Sequence, residues 1–104
     1  MKIYGLKNCD NCRKAVKALG AELHDVRVTP LTREQLERFF ETFGQALVNT
    51  RSTTWRNLEE AARKEDPLTL LQQHPALMKR PLIERDGELF LGWSKDVREK
   101  LLGE

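Results

Sequence analysis

Apolar and polar positions along the chain recur with two different periods, and each change of period marks an element. Lys2 to Leu6 is a short run carrying Ile3, Tyr4 and Leu6, which predicts a buried strand where Gly5 allows close approach to the backbone. After a loop from Lys7 to Cys9, the residues Cys12, Ala15, Val16 and Leu19 fall at helical spacing. They predict a helix from Asp10 to Leu19 with Gly20 as its C-terminal cap. "LHDVRV" alternates, predicting a half-buried strand from Leu23 to Val28 that Thr29 and Pro30 end. Thr32 and Gln35 form a capping-box signature, and Leu36, Phe39, Phe40 and Phe43 follow as one apolar stripe, read as core packing, before Gly44.

The next segment passes from polar loop to a single helix near Thr53 or Thr54, with Trp55, Leu58 and Ala62 on one face. Asp66 and Pro67 serve as N-cap and first residue of a short helix, Leu68 to Gln73, which exits at His74 and Pro75. Leu82-Ile83 and Leu89 to Leu91 flank Asp86-Gly87, a dipeptide suited to a tight hairpin. Ser94 and Asp96 open a last helix carrying Val97, Leu101 and Leu102.

The order is βαβ, several helices, then ββα. It reads as an α/β domain of the thioredoxin-like kind, a mixed four-stranded sheet with a helical insertion over about 31–76 between its halves, the whole of 1–104 forming a single domain. In such a fold a proline before the third strand faces the loop after the first. Pro81 takes that place, so the Arg80-Pro81 bond is expected to be cis and to border the cysteine loop.

Charge narrows the function classes. The 18 basic and 16 acidic residues are interspersed along the chain, which argues against direct nucleic-acid binding. No apolar run approaches the roughly 20 residues that span a bilayer. "MKIYGLKNC" begins in a strand pattern without an apolar signal segment, so the expected location is the cytoplasm. In that reducing compartment a close pair of thiols points to catalysis, redox sensing or metal binding rather than a permanent staple.

The chain has two cysteines, Cys9 and Cys12, both at the start of the first predicted helix. Unpaired helix N–H groups and the positive end of the helix dipole favour a thiolate at Cys9, and Lys7, Arg13 and Lys14 add positive charge that Asp10 opposes. Cys12, one turn on, points along the same face and can attack a mixed disulfide formed at Cys9. Cys9 is therefore assigned as nucleophile and Cys12 as resolving thiol. Zinc is the rival reading, but only His24 and His74 could complete a site, and neither has the usual ligand spacing, so no metal is expected. Arg51 in "NTRSTTW" and Arg80 in "KRP" lie in predicted loops and could pair with a carboxylate or oxyanion.

These residues resemble the arsenate reductase-like family with a thioredoxin fold, which includes glutaredoxin-coupled arsenate reductases, Spx-type transcription regulators and the YffB group. "YGLKNCDNCRKA" is similar to the family's cysteine loop, "LVNTRSTTWRNL" to the central segment of the YffB group, and "HPALMKRPLI" with "LFLGW" to its terminal half. The resemblance implies that Cys9 is the nucleophile and Arg13 a neighbour of its loop; Arg51, Arg80 and Pro81, read from their predicted loops and turn, are the other candidates for holding a substrate. In the arsenate reductases three arginines hold the oxyanion. Arg80 matches one of them, while Asn49 and Gly92 stand at the other two places, which ranks arsenate reduction third. Cys12 makes a C-x-x-C pair like that of the Spx group. The leading expectation is a glutathione-dependent thiol reductase with no bound cofactor, served by glutathione and by glutaredoxin or thioredoxin. The alternative is a redox-sensing regulator that binds RNA polymerase.

Overall fold

A computed structural model describes residues 1–103. In chain order the elements are β1 (Lys2–Gly5), α1 (Asp10–Leu19), β2 (Leu23–Asp25), α2 (Arg33–Phe43), α3 (Thr53–Arg56), α4 (Glu60–Arg63), α5 (Pro67–Gln73), β3 (Leu82–Arg85), β4 (Glu88–Leu91) and α6 (Lys95–Leu102), with single 3-10 turns at Gly44–Leu47 and Pro75–Leu77. Two compact units result, one from Met1–Thr29 with the stretch from Arg80 onward, the other Pro30–Lys79. Among the described residues no helix is long and apolar enough to cross a membrane.

The first unit is built on a mixed sheet in the order β2-β1-β3-β4. β1 pairs in parallel with β2 and antiparallel with β3, so the α1 crossover and the terminal hairpin feed one sheet, as the βαβ and ββα order requires. Register places Leu23, Ile3, Ile83 and Phe90 side by side across all four strands. This row is the floor of a core closed by Ala15, Val16 and Leu19 of α1 and Val97 and Leu101 of α6. Ile3 and Ile83 are fully buried, and each such side chain contributes roughly 1.5–3 kcal/mol by leaving water. The hairpin turns at Asp86 and Gly87, with φ of 51° and 84°; two successive positive φ values are what a two-residue turn between twisted strands needs.

β2 is shorter than its alternating pattern predicts. It ends at Asp25, whose carboxylate accepts the Arg27 N–H at 2.9 Å while its carbonyl accepts Val28 N–H at 3.1 Å and Thr29 N–H at 3.0 Å. The side chain thus offers the backbone a turn in place of the ladder, and Val28 is left 71% exposed.

In the second unit α2 starts with the capping box expected of Thr32 and Gln35, and buries Leu36 and Phe39 of its apolar stripe. α2 packs on α5. Arg33 spans the pair, donating to Gln72 Oε1 at 3.0 Å and pairing with Asp66 at 3.1 Å. A bridge between Val48 and Met78 is extended by Asn49 N–H to Leu77 O and Lys79 N–H to Leu47 O, both 2.8 Å. The single helix expected after Thr53 is instead two one-turn helices. Arg63 accounts for the break: its guanidinium donates to Trp55 O at 3.2 Å and Arg56 O at 3.1 Å, satisfying carbonyls that a continuous helix would use, and it lies over the Trp55 ring at 5.7 Å.

Ile83 joins β1 and β4 at the centre of the buried row. Ile83→Ala is expected to lower the unfolding free energy by about 2–5 kcal/mol in a denaturant titration, the range for a large-to-small change in a packed core.

Candidate functional site

The site begins where β1 ends. Cys9 N–H donates to Leu6 O at 3.1 Å, closing a tight turn, and Cys9 O accepts the Arg13 N–H at 3.0 Å as the first carbonyl of α1. Cys9 is therefore the N-cap, in extended conformation with φ −87° and ψ 123°. The turn is tied to β2 by Asp25, whose second carboxylate oxygen accepts Lys7 N–H at 3.1 Å. Arg27 N–H above all, with Lys7 N–H behind it, holds the Asp25 carboxyl below its ordinary value. Asp25 was not singled out by its sequence; the available signal was an aspartate at a strand end followed by a turn.

The two sulfurs have opposite environments. Cys9 is partly exposed and Cys12 fully buried, and both are free thiols. Burial alone would raise the Cys9 pKa. It is overcome by the Cys12 backbone N–H, the Cys12 thiol and the Arg80 guanidinium, which together hold Cys9 below its ordinary value of 9.0. Cys9 differs from a Ser or Thr cap in that its side chain makes no cap hydrogen bond of ordinary geometry. Cys12 is pushed up to about 12, first by burial and then by the neighbouring Cys9 sulfur, against a lowering contribution from Leu6 N–H.

The positive charge acting on Cys9 differs from the sequence-based expectation. Lys14 pairs with Asp10 at 3.7 Å, and Arg13 donates to Asn8 O at 3.3 Å, bracing the loop. Arg80, brought in from just before β3, supplies the guanidinium. The Arg80-Pro81 bond is cis, and Pro81 is buried with its carbonyl accepting Gly92 N–H at 2.8 Å. Cys9, Cys12, Arg13, Arg80 and Pro81 thus share the first unit. Arg51 belongs to the second. There it is exposed, and with Asn49, Thr50 and Lys79 it lines a surface cleft of 760 Å³. Among the described residues no three His, Cys, Asp or Glu side chains gather into a metal-holding group.

The ArsC family profile matches residues 4–101. The chain belongs to the ArsC family. Its relatives include an uncharacterised protein of Haemophilus influenzae, 42% identical over 103 residues, covering 89% of this chain and 90% of that one. The global transcriptional regulator Spx of Streptococcus pneumoniae is 28% identical over 100 residues, covering 86% and 75%. Among solved structures, a YffB protein superposes with a TM-score of 0.87 at 30% identity over 97% of each chain. An arsenate reductase-related protein of Brucella melitensis gives 0.71 at 34% identity over 99% and 94%. The architecture of this ArsC-family chain is accordingly thioredoxin-like, with the mixed four-stranded sheet expected from its element order. Asn49 and Gly92 have local duties. Asn49 accepts Arg51 N–H at 3.1 Å on its side chain and Ser52 Oγ–H at 2.8 Å on its carbonyl, and Gly92 adopts φ 86°.

These environments fix the expected pH behaviour. Alkylation of Cys9 by iodoacetamide, followed by mass spectrometry across about pH 5 to 10, should show a midpoint below that of an unperturbed thiol. Arg80→Gln should move the midpoint upward; an unchanged profile would remove Arg80 from the site. Cys12 carries the opposite sign: the folded state keeps its proton where the unfolded chain loses it, so its contribution is whole below 9.0 and is lost as pH rises toward about 12. Chemical denaturation should therefore show a smaller alkaline loss of stability in Cys12→Ala than in the wild type.

Proposed function

We infer that this ArsC-family protein is a thiol-disulfide reductase with Cys9 as its nucleophile. The observation that carries the reading is the partly exposed Cys9 sulfur at the start of α1, held toward thiolate by Cys12 and Arg80. Since only the thiolate attacks, lowering the pKa raises the reactive fraction at neutral pH.

The chemistry runs in two exchanges. Cys9 thiolate attacks one sulfur of a substrate disulfide; the S–S bond breaks, a Cys9 mixed disulfide forms, and the other half leaves as a thiolate that takes up a proton. A second thiol then resolves it. If Cys12 attacks the Cys9 sulfur, it gives up its proton, a Cys9–Cys12 disulfide forms and the substrate leaves reduced. If the mixed disulfide is with glutathione, a second glutathione attacks, departs as glutathione disulfide and returns Cys9 as thiolate. Burial is the first cause of the raised Cys12 pKa and the Cys9 charge adds to it; forming the mixed disulfide removes that second contribution, so the first exchange eases the next. Arg80 and the Pro81 turn position the partner, and Arg13 braces the loop. Glutathione is the co-substrate, with glutaredoxin or thioredoxin as protein partners in the reducing cytoplasm.

Similarity to Spx supports a second reading, a redox-sensing regulator that binds RNA polymerase and uses Cys9 and Cys12 as a switch. Arsenate reduction ranks third, because Asn49 and Gly92 replace two arginines. Reduction of insulin or of a glutathione mixed disulfide should fall to background in Cys9→Ser, and retained activity in that variant would end the reductase reading. Capture of polymerase subunits only in the presence of oxidant, with no turnover in the wild type, would favour the regulator.

A further inference from the structure

Behind the cysteine loop, β1 has a notch that no side chain fills. Gly5 is buried, and a Cβ built on it would overlap the Cys12 Sγ. The same Cβ would stand 3.4 Å from the Cys12 Cβ and 3.6 Å from Leu23 Cδ1, which van der Waals packing accommodates. The conflict is therefore with one sulfur atom. Gly5 is absent from the residues with positive φ, so its backbone is one any residue could adopt. What the position requires is space. That space is filled by a Cys12 side chain with 0% exposure, whose sulfur interacts with the Leu6 backbone N–H and the Cys9 sulfur.

We propose that Gly5 is a positioning residue of the thiol pair, its missing side chain forming the seat that holds the Cys12 sulfur beside Cys9. Staggered χ1 values lie about 120° apart, so a sulfur displaced from this seat must swing to another well or push β1 from its pairing. Either movement separates it from Cys9. A methyl group at residue 5 thus acts on the nucleophile through Cys12, without touching Cys9 or any substrate. The inference rests on Cys9 as the nucleophile and adds a residue that nothing in the thiol chemistry itself would select.

The test is a double-mutant cycle on the full chain, with Gly5→Ala, Cys12→Ala and both together. It is read by the pH profile of Cys9 alkylation, located by mass spectrometry, and by thermal unfolding. Gly5→Ala should slow alkylation at pH 7 by about tenfold, the loss expected for one hydrogen bond to a charged group, and Cys12→Ala should do the same. The double variant should match Cys12→Ala alone, because the atom through which residue 5 acts is gone. Unfolding should follow the same logic, Gly5→Ala costing stability in the wild type and little in the Cys12→Ala background. If Gly5→Ala does not fold, the double variant should. A wild-type profile in Gly5→Ala, additive effects in the cycle, or a double variant clearly less stable than Cys12→Ala would each overturn the proposal. An ordinary thiol profile for Cys9 in the wild type would instead defeat the reductase reading, and the stability arm of the cycle would still decide the role of Gly5.

Discussion

Pairing of β1 along both of its edges is the constraint from which the first unit and its thiol loop follow. Ile3 stands opposite Leu23 on one side and Ile83 on the other, so the strand has no unpaired edge along which to slide. Ile3 and Tyr4 point to opposite faces and both are buried, which means that a one-residue slip would exchange two filled positions for two wrong ones. The end of β1 is thereby fixed. From that point a turn closed by Cys9 N–H on Leu6 O leaves the chain pointing into α1, and Ala15 on α1 meets the apolar row that Ile3 began. Cys9 is held at the mouth of the helix by the sheet rather than by its own side chain.

Two thiols three residues apart come to differ because the helix start is a gradient of environment. Cys9 lies before the first turn, partly in solvent and next to donors with no intrahelical partner; Cys12 lies inside the turn, shut off from water. One gains from positive surroundings and the other loses from burial, and each reinforces the other. A protonated Cys12 is a donor to a Cys9 anion, and that anion in turn makes a second negative charge nearby costly.

Much of the scaffold was legible because its signals are local. Asp10 to Leu19 with Gly20, the Thr32–Gln35 box, the Asp66-Pro67 start and the Asp86-Gly87 hairpin each depend on residues within one turn of one another, and each appears where its pattern put it. The misreadings share the opposite cause. "LHDVRV" alternates like a strand, yet the Asp25 carboxylate competes for the backbone amides and stops it early. The helix after Thr53 breaks because Arg63 reaches back to carbonyls seven and eight residues earlier. For the site, the sequence points to both cysteines and Arg80, but adjacency alone assigns the electrostatic role to the cations beside Cys9. Side-chain direction decides that role, and Lys14 and Arg13 are turned to Asp10 and Asn8.

The outer strands of the sheet, β2 and β4, are three and four residues long. An open rim of that length presents few free amides and carbonyls, and β2 is cut short by the Asp25 turn just where it would otherwise lengthen. A foreign strand could add only a brief ladder before running out of partners, so the early stop that defeated the alternating pattern also leaves little template for aggregation.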